Sequence, residues 1–226
     1  MKRSDGRKPE ELRPLEITAG VLENATGSAR VRMGRTIAVA GVFGPREMFP
    51  RRLQDFNRAT VQCRYSMAPF STDERARPGP SRRSKEISLV VRKALEPLIF
   101  LDEFPKAAID IYIDIIQADA GTRTAAINAA SVALADAGVP MRGLVSAVAA
   151  GKIDGKYVVD LAGKEEDASD CDLPVAYIPS QGKISLLQMD GNLAKEDVKA
   201  LIKIATTACE DIEKKQRDAL RKRWIK

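Results

Sequence analysis

Gln117-Ala-Asp-Ala-Gly-Thr-Arg-Thr-Ala-Ala126 joins two unlike stretches of chain. Before it, Ala107 to Gln117 is apolar and β-branched, which reads as a buried strand; after it, Thr124 to Ala137 is rich in alanine, which reads as a helix. A helix N-terminus offers unpaired backbone N–H groups and the positive end of a dipole. Gly121 lets the backbone come close to a ligand, Thr122 adds a hydroxyl, and Arg123 adds a forked cation suited to phosphate. The same residues are compatible with an ordinary strand-to-helix turn capped by Thr122, so the choice rests on the rest of the chain.

Working outward, the pattern alternates sheet and helix. Upstream, the polar, turn-rich opening Ser4 to Pro14 precedes strand candidates Leu15–Leu22 and Ala29–Met33, with Asn24-Ala-Thr-Gly-Ser28 turning between them. Thr36–Phe43 reads as a buried strand that Gly44-Pro45 stops, Arg46 to Arg58 as a basic loop, and Thr60–Met67 as a further strand. After a polar stretch from Ser71 to Pro80, Ser81 caps a helix to about Leu95, with Ile87, Val90, Val91 and Ala94 as its apolar stripe and Pro97 ending it. Downstream, Gly138-Val-Pro140 ends the alanine helix. Strand candidates Leu144–Lys152, Tyr157–Leu161, Leu173–Ile178 and Ile184–Met189 follow, with hairpins at Gly155 and Gly182. An amphipathic helix, Ala194–Arg223, closes the chain. Helices set against a largely antiparallel sheet define an α+β fold, and 226 residues without a repeat or linker fit one domain, 1–226.

Composition narrows the chemistry. There is no His, which excludes Ser–His and Cys–His nucleophiles and His-ligated metals within this chain. Cys63, Cys171 and Cys209 lie far apart with no CxxC spacing, so buried thiols in a reducing compartment are expected. No apolar run is long enough for a membrane span and Met1-Lys-Arg-Ser-Asp lacks a signal core, so a cytoplasmic protein that avoids membranes is expected. The excess of 37 Lys and Arg over 31 Asp and Glu, a net +6, mildly favours a polyanionic partner.

Two further groups of residues bear on the glycine turn. Arg82 and Arg83 occupy the first turn of a helix, where the dipole prefers anions; a pair of cations there, with Arg75 and Arg77 just upstream, anticipates an external anion, although pairing with Glu86 would also account for them. The acidic run Glu165-Glu-Asp-Ala-Ser-Asp-Cys-Asp172 enters an apolar strand, so Asp172 is expected to be held at a strand end. Carboxylates fixed beside phosphates can hold Mg²⁺, or one can serve as a general acid. Two arginine-rich anion sites with nearby carboxylates suit a phosphodiester and a second phosphate held side by side. Free phosphate needs no His to deprotonate it near neutral pH, so the lack of His fits phosphorolysis better than base-activated hydrolysis.

These motifs resemble the RNase PH family, and within it the catalytic ring subunits of archaeal exosomes, over nearly the whole chain. The resemblance rests on Asp5-Gly-Arg7 with Glu11-Leu-Arg-Pro14, Gly44-Pro-Arg-Glu47, Pro50-Arg-Arg-Leu-Gln54 and Arg64-Tyr-Ser-Met-Ala-Pro-Phe-Ser71. It also rests on Arg77-Pro-Gly-Pro-Ser-Arg-Arg-Ser84, the 117–123 turn, Asp136-Ala-Gly-Val-Pro-Met141 and Leu187-Gln-Met-Asp-Gly191. It implies the two-half βα fold of that family (ribosomal protein S5 domain 2-like). It also implies a six-membered ring in which this chain alternates with a related non-catalytic subunit beneath RNA-binding cap proteins. The implied reaction is 3′→5′ phosphorolysis of single-stranded RNA to nucleoside diphosphates, with inorganic phosphate as co-substrate and Mg²⁺ as cofactor; run backwards, it adds tails.

By the same resemblance, Gly121, Thr122 and Arg123 bind the attacking phosphate, and Arg82 and Arg83 grip the RNA 3′ end as part of the catalytic set. Arg46, Arg51 and Arg52 line the ring entrance, with Arg75 and Arg77 counted among the RNA-binding residues. The family spaces two catalytic Asp with five residues between them. Counted back from Asp172 that place falls on Glu166, and Asp167 lies one closer. A shortened loop makes Asp167 and Asp172 the expected catalytic and Mg²⁺-holding pair, with Glu166 the alternative. Phe49 stands where relatives often carry a basic residue or His. A homohexameric RNase PH trimming tRNA 3′ ends, and a non-catalytic RNA-binding ring subunit, are the competing readings.

Overall fold

A computed structural model describes Arg3 and residues 5–225; Ser4, the expected start of the polar opening segment, lies outside them. In chain order the elements are β1 (Leu15–Ala19), β2 (Gly27–Met33), β3 (Thr36–Glu47), β4 (Thr60–Met67), α1 (Arg82–Leu95), β5 (Ala107–Gln117) and α2 (Thr122–Asp136). Then come β6 (Ser146–Ile153), β7 (Lys156–Val159), α3 (Lys164–Ala168), β8 (Cys171–Ile178), β9 (Lys183–Leu187), β10 (Asp190–Gly191) and α4 (Lys195–Trp224). Among the described residues the strands form two sheets, ordered β1-β2-β3-β5-β4 and β10-β8-β6-β7, with β9 also on β8. All ladders are antiparallel except β4 against β5, which is parallel. This is the expected α+β class.

The architecture turns on α2. It is buried on every side, from Thr122 through Asp136 with few gaps, so it has no solvated face. A helix of that kind belongs between layers rather than on a surface. It packs on β2, β3 and β5 of the first sheet and on β6 and β8 of the second. Its alanines keep it thin enough to be covered from both sides. A Cβ on Gly27 would lie 2.1 Å from the Ala137 backbone nitrogen, so only glycine lets β2 approach the end of this helix. The buried Asn128 is satisfied by β6, accepting from the Ala147 N–H at 2.8 Å and donating to the Ala147 carbonyl at 2.8 Å. One cluster of buried apolar side chains runs through both sheets.

Several boundaries differ from those read off the sequence. β3 does not stop at Gly44-Pro45; it continues to Glu47 across a register shift between Phe43 and Arg46, the irregular pairing in which a strand tolerates proline. The alanine helix begins at Thr122 rather than Thr124, with Gly121 as its N-cap, so Thr122 is the first helical residue and not the cap. Part of the acidic run folds as α3. The cap of α1 is as expected and more complete: Ser81 Oγ accepts from the Ser84 N–H, and Ser84 Oγ accepts from the Ser81 N–H.

Candidate active site

The strand–turn–helix unit delivers its glycine turn to the seam between the sheets. Ala120 and Gly121 are both left-handed, with φ of 59° and 63°. That conformation is held by neighbours: Arg13 donates to the Asp119 carbonyl at 2.6 Å, the Asp119 N–H donates to Thr36 Oγ1 at 2.9 Å, and Thr36 Oγ1 donates to the Ala120 carbonyl at 2.7 Å. Beyond the turn, Gly121, Thr122, Arg123 and Thr124 line a cleft of about 610 Å³. The first-turn N–H groups of a helix have no partners within it, so this end of α2 presents donors to an anion.

Arginine crowds the same cleft. Arg123 donates through Nη2 to Glu86 at 3.2 and 3.4 Å, while its buried Nε has no partner. Arg83 lines the cleft as well; Arg82, next to it in the first turn of α1, is exposed and does not. Arg75 and Arg77 are exposed on the 71–80 segment away from the cleft wall, although Thr72 of that segment reaches it.

The opposite wall is acidic. Asp172, near the start of β8, has a buried Oδ1 without a hydrogen-bond partner. Burial is the main reason its carboxyl is pushed up from 3.8 to about 6; Glu166 and Asp190 push the same way, and Arg123 and Arg83 pull against them. Glu166 and Asp190 line the cleft with it, and Asp190 sits opposite Asp172 in the β8–β10 ladder. Asp167, expected to pair with Asp172, is exposed and does not line the cleft, whereas Glu166 does. The reason is the phase of α3. Glu165 turns inward, where Arg3 bonds both of its oxygens at 3.0 and 2.7 Å. Successive helical residues point about 100° apart, so Glu166 and Asp167 cannot share a direction. Among the described residues no group of three or more His, Cys, Asp or Glu is arranged to hold a metal ion.

The loop expected to meet RNA lies elsewhere. Glu47, at its start, pairs with Ala107 at the beginning of β5, whereas the glycine turn follows Gln117 at the end of that 11-residue strand. The two places are roughly 33 Å apart. Arg46 is bonded to Asp110 and Arg51 sits 3.3 Å from Glu47, and Arg46, Arg51 and Arg52 are all exposed. Phe49 and Phe56 are exposed by 85% and 72%.

Three contributors escaped the sequence reading. Glu86, which the sequence offers only as an alternative partner for Arg82 and Arg83, holds Arg123. Asp190 and Gln188 were noted only as part of a motif; both line the cleft. The third is a buried lattice of charge in which Arg13 bonds both Asp160 oxygens at 3.0 and 2.7 Å, and Arg3 bonds Glu165. The Asp5-Gly-Arg and Glu11-Leu-Arg-Pro motifs were its visible sign: they tie the N-terminal segment to the glycine turn and to α3.

A helix end and guanidinium groups facing a carboxyl that can keep its proton to about pH 6 bind phosphate groups and can hand a proton to an oxygen beside them. That equipment defines an enzyme of phosphoryl transfer. The chain belongs to the 3′ exoribonuclease (RNase PH) family: domain 1 of that family matches residues 11–140 and domain 2 matches residues 143–208. It is 54% identical to the exosome complex component Rrp41 of Methanopyrus kandleri, over 98% of this chain and 93% of that protein. It is 52% identical to the exosome complex component Rrp41 of Thermococcus kodakarensis, over 100% of this chain and 90% of that one. The crystal structure of rice (Oryza sativa) Rrp46 superposes with a TM-score of 0.88 at 25% identity, covering 97% of this chain and 100% of that chain.

Proposed function

We propose that this chain is the catalytic subunit of an archaeal exosome, a phosphorolytic 3′→5′ exoribonuclease that degrades single-stranded RNA to nucleoside diphosphates. The observation that carries the reading is the Asp172 carboxyl, buried, unpartnered at Oδ1 and pushed up to about 6, across one cleft from Arg123 and the glycine turn. In this reading, inorganic phosphate sits on the Thr122–Thr124 N–H groups and Arg123, and Arg83, with Arg82 beside it, draws in the terminal phosphodiester. A phosphate oxygen attacks the terminal phosphorus in line, and the bond from phosphorus to the O3′ of the preceding nucleotide breaks. Asp172 gives its proton to that O3′ and regains one from solvent, while the hydrogen of the attacking phosphate is lost to solvent. The products are a nucleoside diphosphate and an RNA one nucleotide shorter with a free 3′ hydroxyl.

Mg²⁺ fits the donor set as a loosely held ion. The Glu166 carboxylate would hold it together with substrate phosphate oxygens, where it would offset charge and leave the Asp172 carboxyl its proton. Glu166 takes the first acidic role, because it and not Asp167 shares the cleft. Arg46, Arg51 and Arg52 meet the RNA upstream, aided by Arg75 and Arg77.

The chain serves as one RNase PH-type domain in a six-membered ring, alternating with a related non-catalytic subunit and capped by RNA-binding proteins, in the cytoplasm. The names of the Rrp41 relatives support this assembly, and no helix among the described residues is long and apolar enough to cross a membrane. The test is to incubate the chain, with its ring partner, with labelled RNA and phosphate. Nucleoside diphosphates are expected, in amounts that follow added phosphate; monophosphates formed without regard to phosphate would defeat the reading.

A further inference from the structure

Glu86 is a carboxylate placed beside an anion site, where simple electrostatics disfavours it. It lies in the second turn of α1, yet its bonds go to two other elements: to Arg123 Nη2 on α2, and from Gln188 Nε2 just after β9 at 3.2 Å. The two residues it holds both line the cleft, and each keeps one buried polar atom without a partner, Nε of Arg123 and Oε1 of Gln188. Glu86 thus occupies one corner of the guanidinium and leaves another donor unused at the cleft wall. The pair is partly solvated, with Glu86 side-chain exposure of 43%, so it adds little to folding. What it does supply is direction: a free Arg side chain samples many rotamers, and one anchored at Nη2 presents Nε and Nη1 to a fixed point.

We propose that Glu86 is a positioning residue for the phosphate co-substrate: it anchors Arg123 and Gln188 so that the remaining guanidinium donors face the attacking phosphate. This rests on the phosphorolytic reading. The alternative role, a resting counter-ion that phosphate displaces, has the opposite consequence: removing it would tighten phosphate binding. The two are separated by a pair of variants in the full chain assembled with its ring partner. Phosphate KM, RNA KM and kcat are read from nucleoside diphosphate release.

Glu86→Ala frees Arg123. Phosphate KM is expected to rise about tenfold, the scale of a lost charge-assisted hydrogen bond. RNA KM and kcat at saturating phosphate should stay within about twofold, because a binding interaction common to ground and transition states is lost. Glu86→Gln keeps an oxygen for Arg123 and removes the negative charge, so phosphate KM is expected at or below the native value. This opposed response of one kinetic constant is not produced by general destabilisation. A phosphate KM in Glu86→Ala equal to or below the native one overturns the proposal, as does an equal rise in both variants. If the native ring itself releases no diphosphates, the phosphorolytic reading falls and this inference falls with it. Native diphosphate release with an unmoved phosphate KM removes the inference alone.

Discussion

The two ends of β5 carry arginines of opposite kinds. At the end that feeds the glycine turn, Arg13 is buried against Asp160 and Arg123 is three-quarters covered and anchored on Glu86. At the other end, Arg51 and Arg52 stand in solvent, on a loop with exposed Phe49 and Phe56. The first set is oriented before any ligand arrives, so little side-chain freedom remains to be lost on binding, which suits an interaction with reacting atoms. The second set is not fixed in this way, which suits contacts to backbone charge and base faces. A single strand of sheet thus separates a preset group of arginines from a solvated one.

The strongest way to break this contrast is at the preset end. Asp172→Asn is expected to lower the rate of diphosphate release by about 10²–10⁴, the contribution of a positioned general acid. Ring assembly, followed by gel filtration, should be unchanged. Near-native activity would take the carboxyl out of the reaction. The pH profile should carry the same signature. With the carboxyl at about 6, its acid form is depleted above that value, so kcat/KM at saturating phosphate is expected to fall as pH rises beyond it. A flat profile from pH 6 to 8 would point to another proton donor.

At the solvated end, replacing Arg51 and Arg52 together by Ala should weaken RNA binding. It should also shallow the dependence of log K on log salt by roughly 0.7 for each RNA phosphate no longer neutralised, and leave phosphate KM alone. The separation of the two ends sharpens this. An RNA too short to span roughly 33 Å from the cleft should not sense the double variant at all, whereas a longer one should.

The smallest effect is on stability, and it has a definite sign. Asp172 sits at about 6 in the folded chain, against 3.8 for an ordinary carboxyl. Between those values the folded chain holds a proton that the unfolded chain has released. Stability therefore falls as pH rises through the window, and it stays reduced above it. Asp172→Asn removes the buried charge. It should be more stable than the native chain at neutral pH, by about 3 kcal/mol, and indistinguishable from it once the medium is acid enough to protonate both states. Thermal unfolding at two pH values measures this. A variant less stable at neutral pH would show that the Asp172 charge is compensated in the fold.

The sequence was most legible where a long period coincided with burial. Ala107–Gln117 and Thr60–Met67 have the bounds that their β-branched runs announced. The glycine turn could be read because the chemistry of an anion site is local: a left-handed glycine, a helix start and an adjacent Arg. The first acidic residue could not be settled the same way. A helix as short as Lys164–Ala168 has no readable period, and the inward turn of Glu165 depends on Arg3, 162 residues away. Glu86 was hidden for a similar reason. Nearby arginines on its own helix offered a plausible partner, while the real one lies on a different element. β3 outran its proline because a bulge, invisible in composition, absorbed it.

The helix that both sheets enclose has a mechanical consequence. Arg123 grows from that helix and Asp172 from a strand packed directly against it, so these two facing groups are rooted in one interior rather than on two hinged bodies. Repeated cutting must then be driven by travel of the polymer: after each diphosphate departs, the new 3′ terminus slides forward into a seat that has not moved.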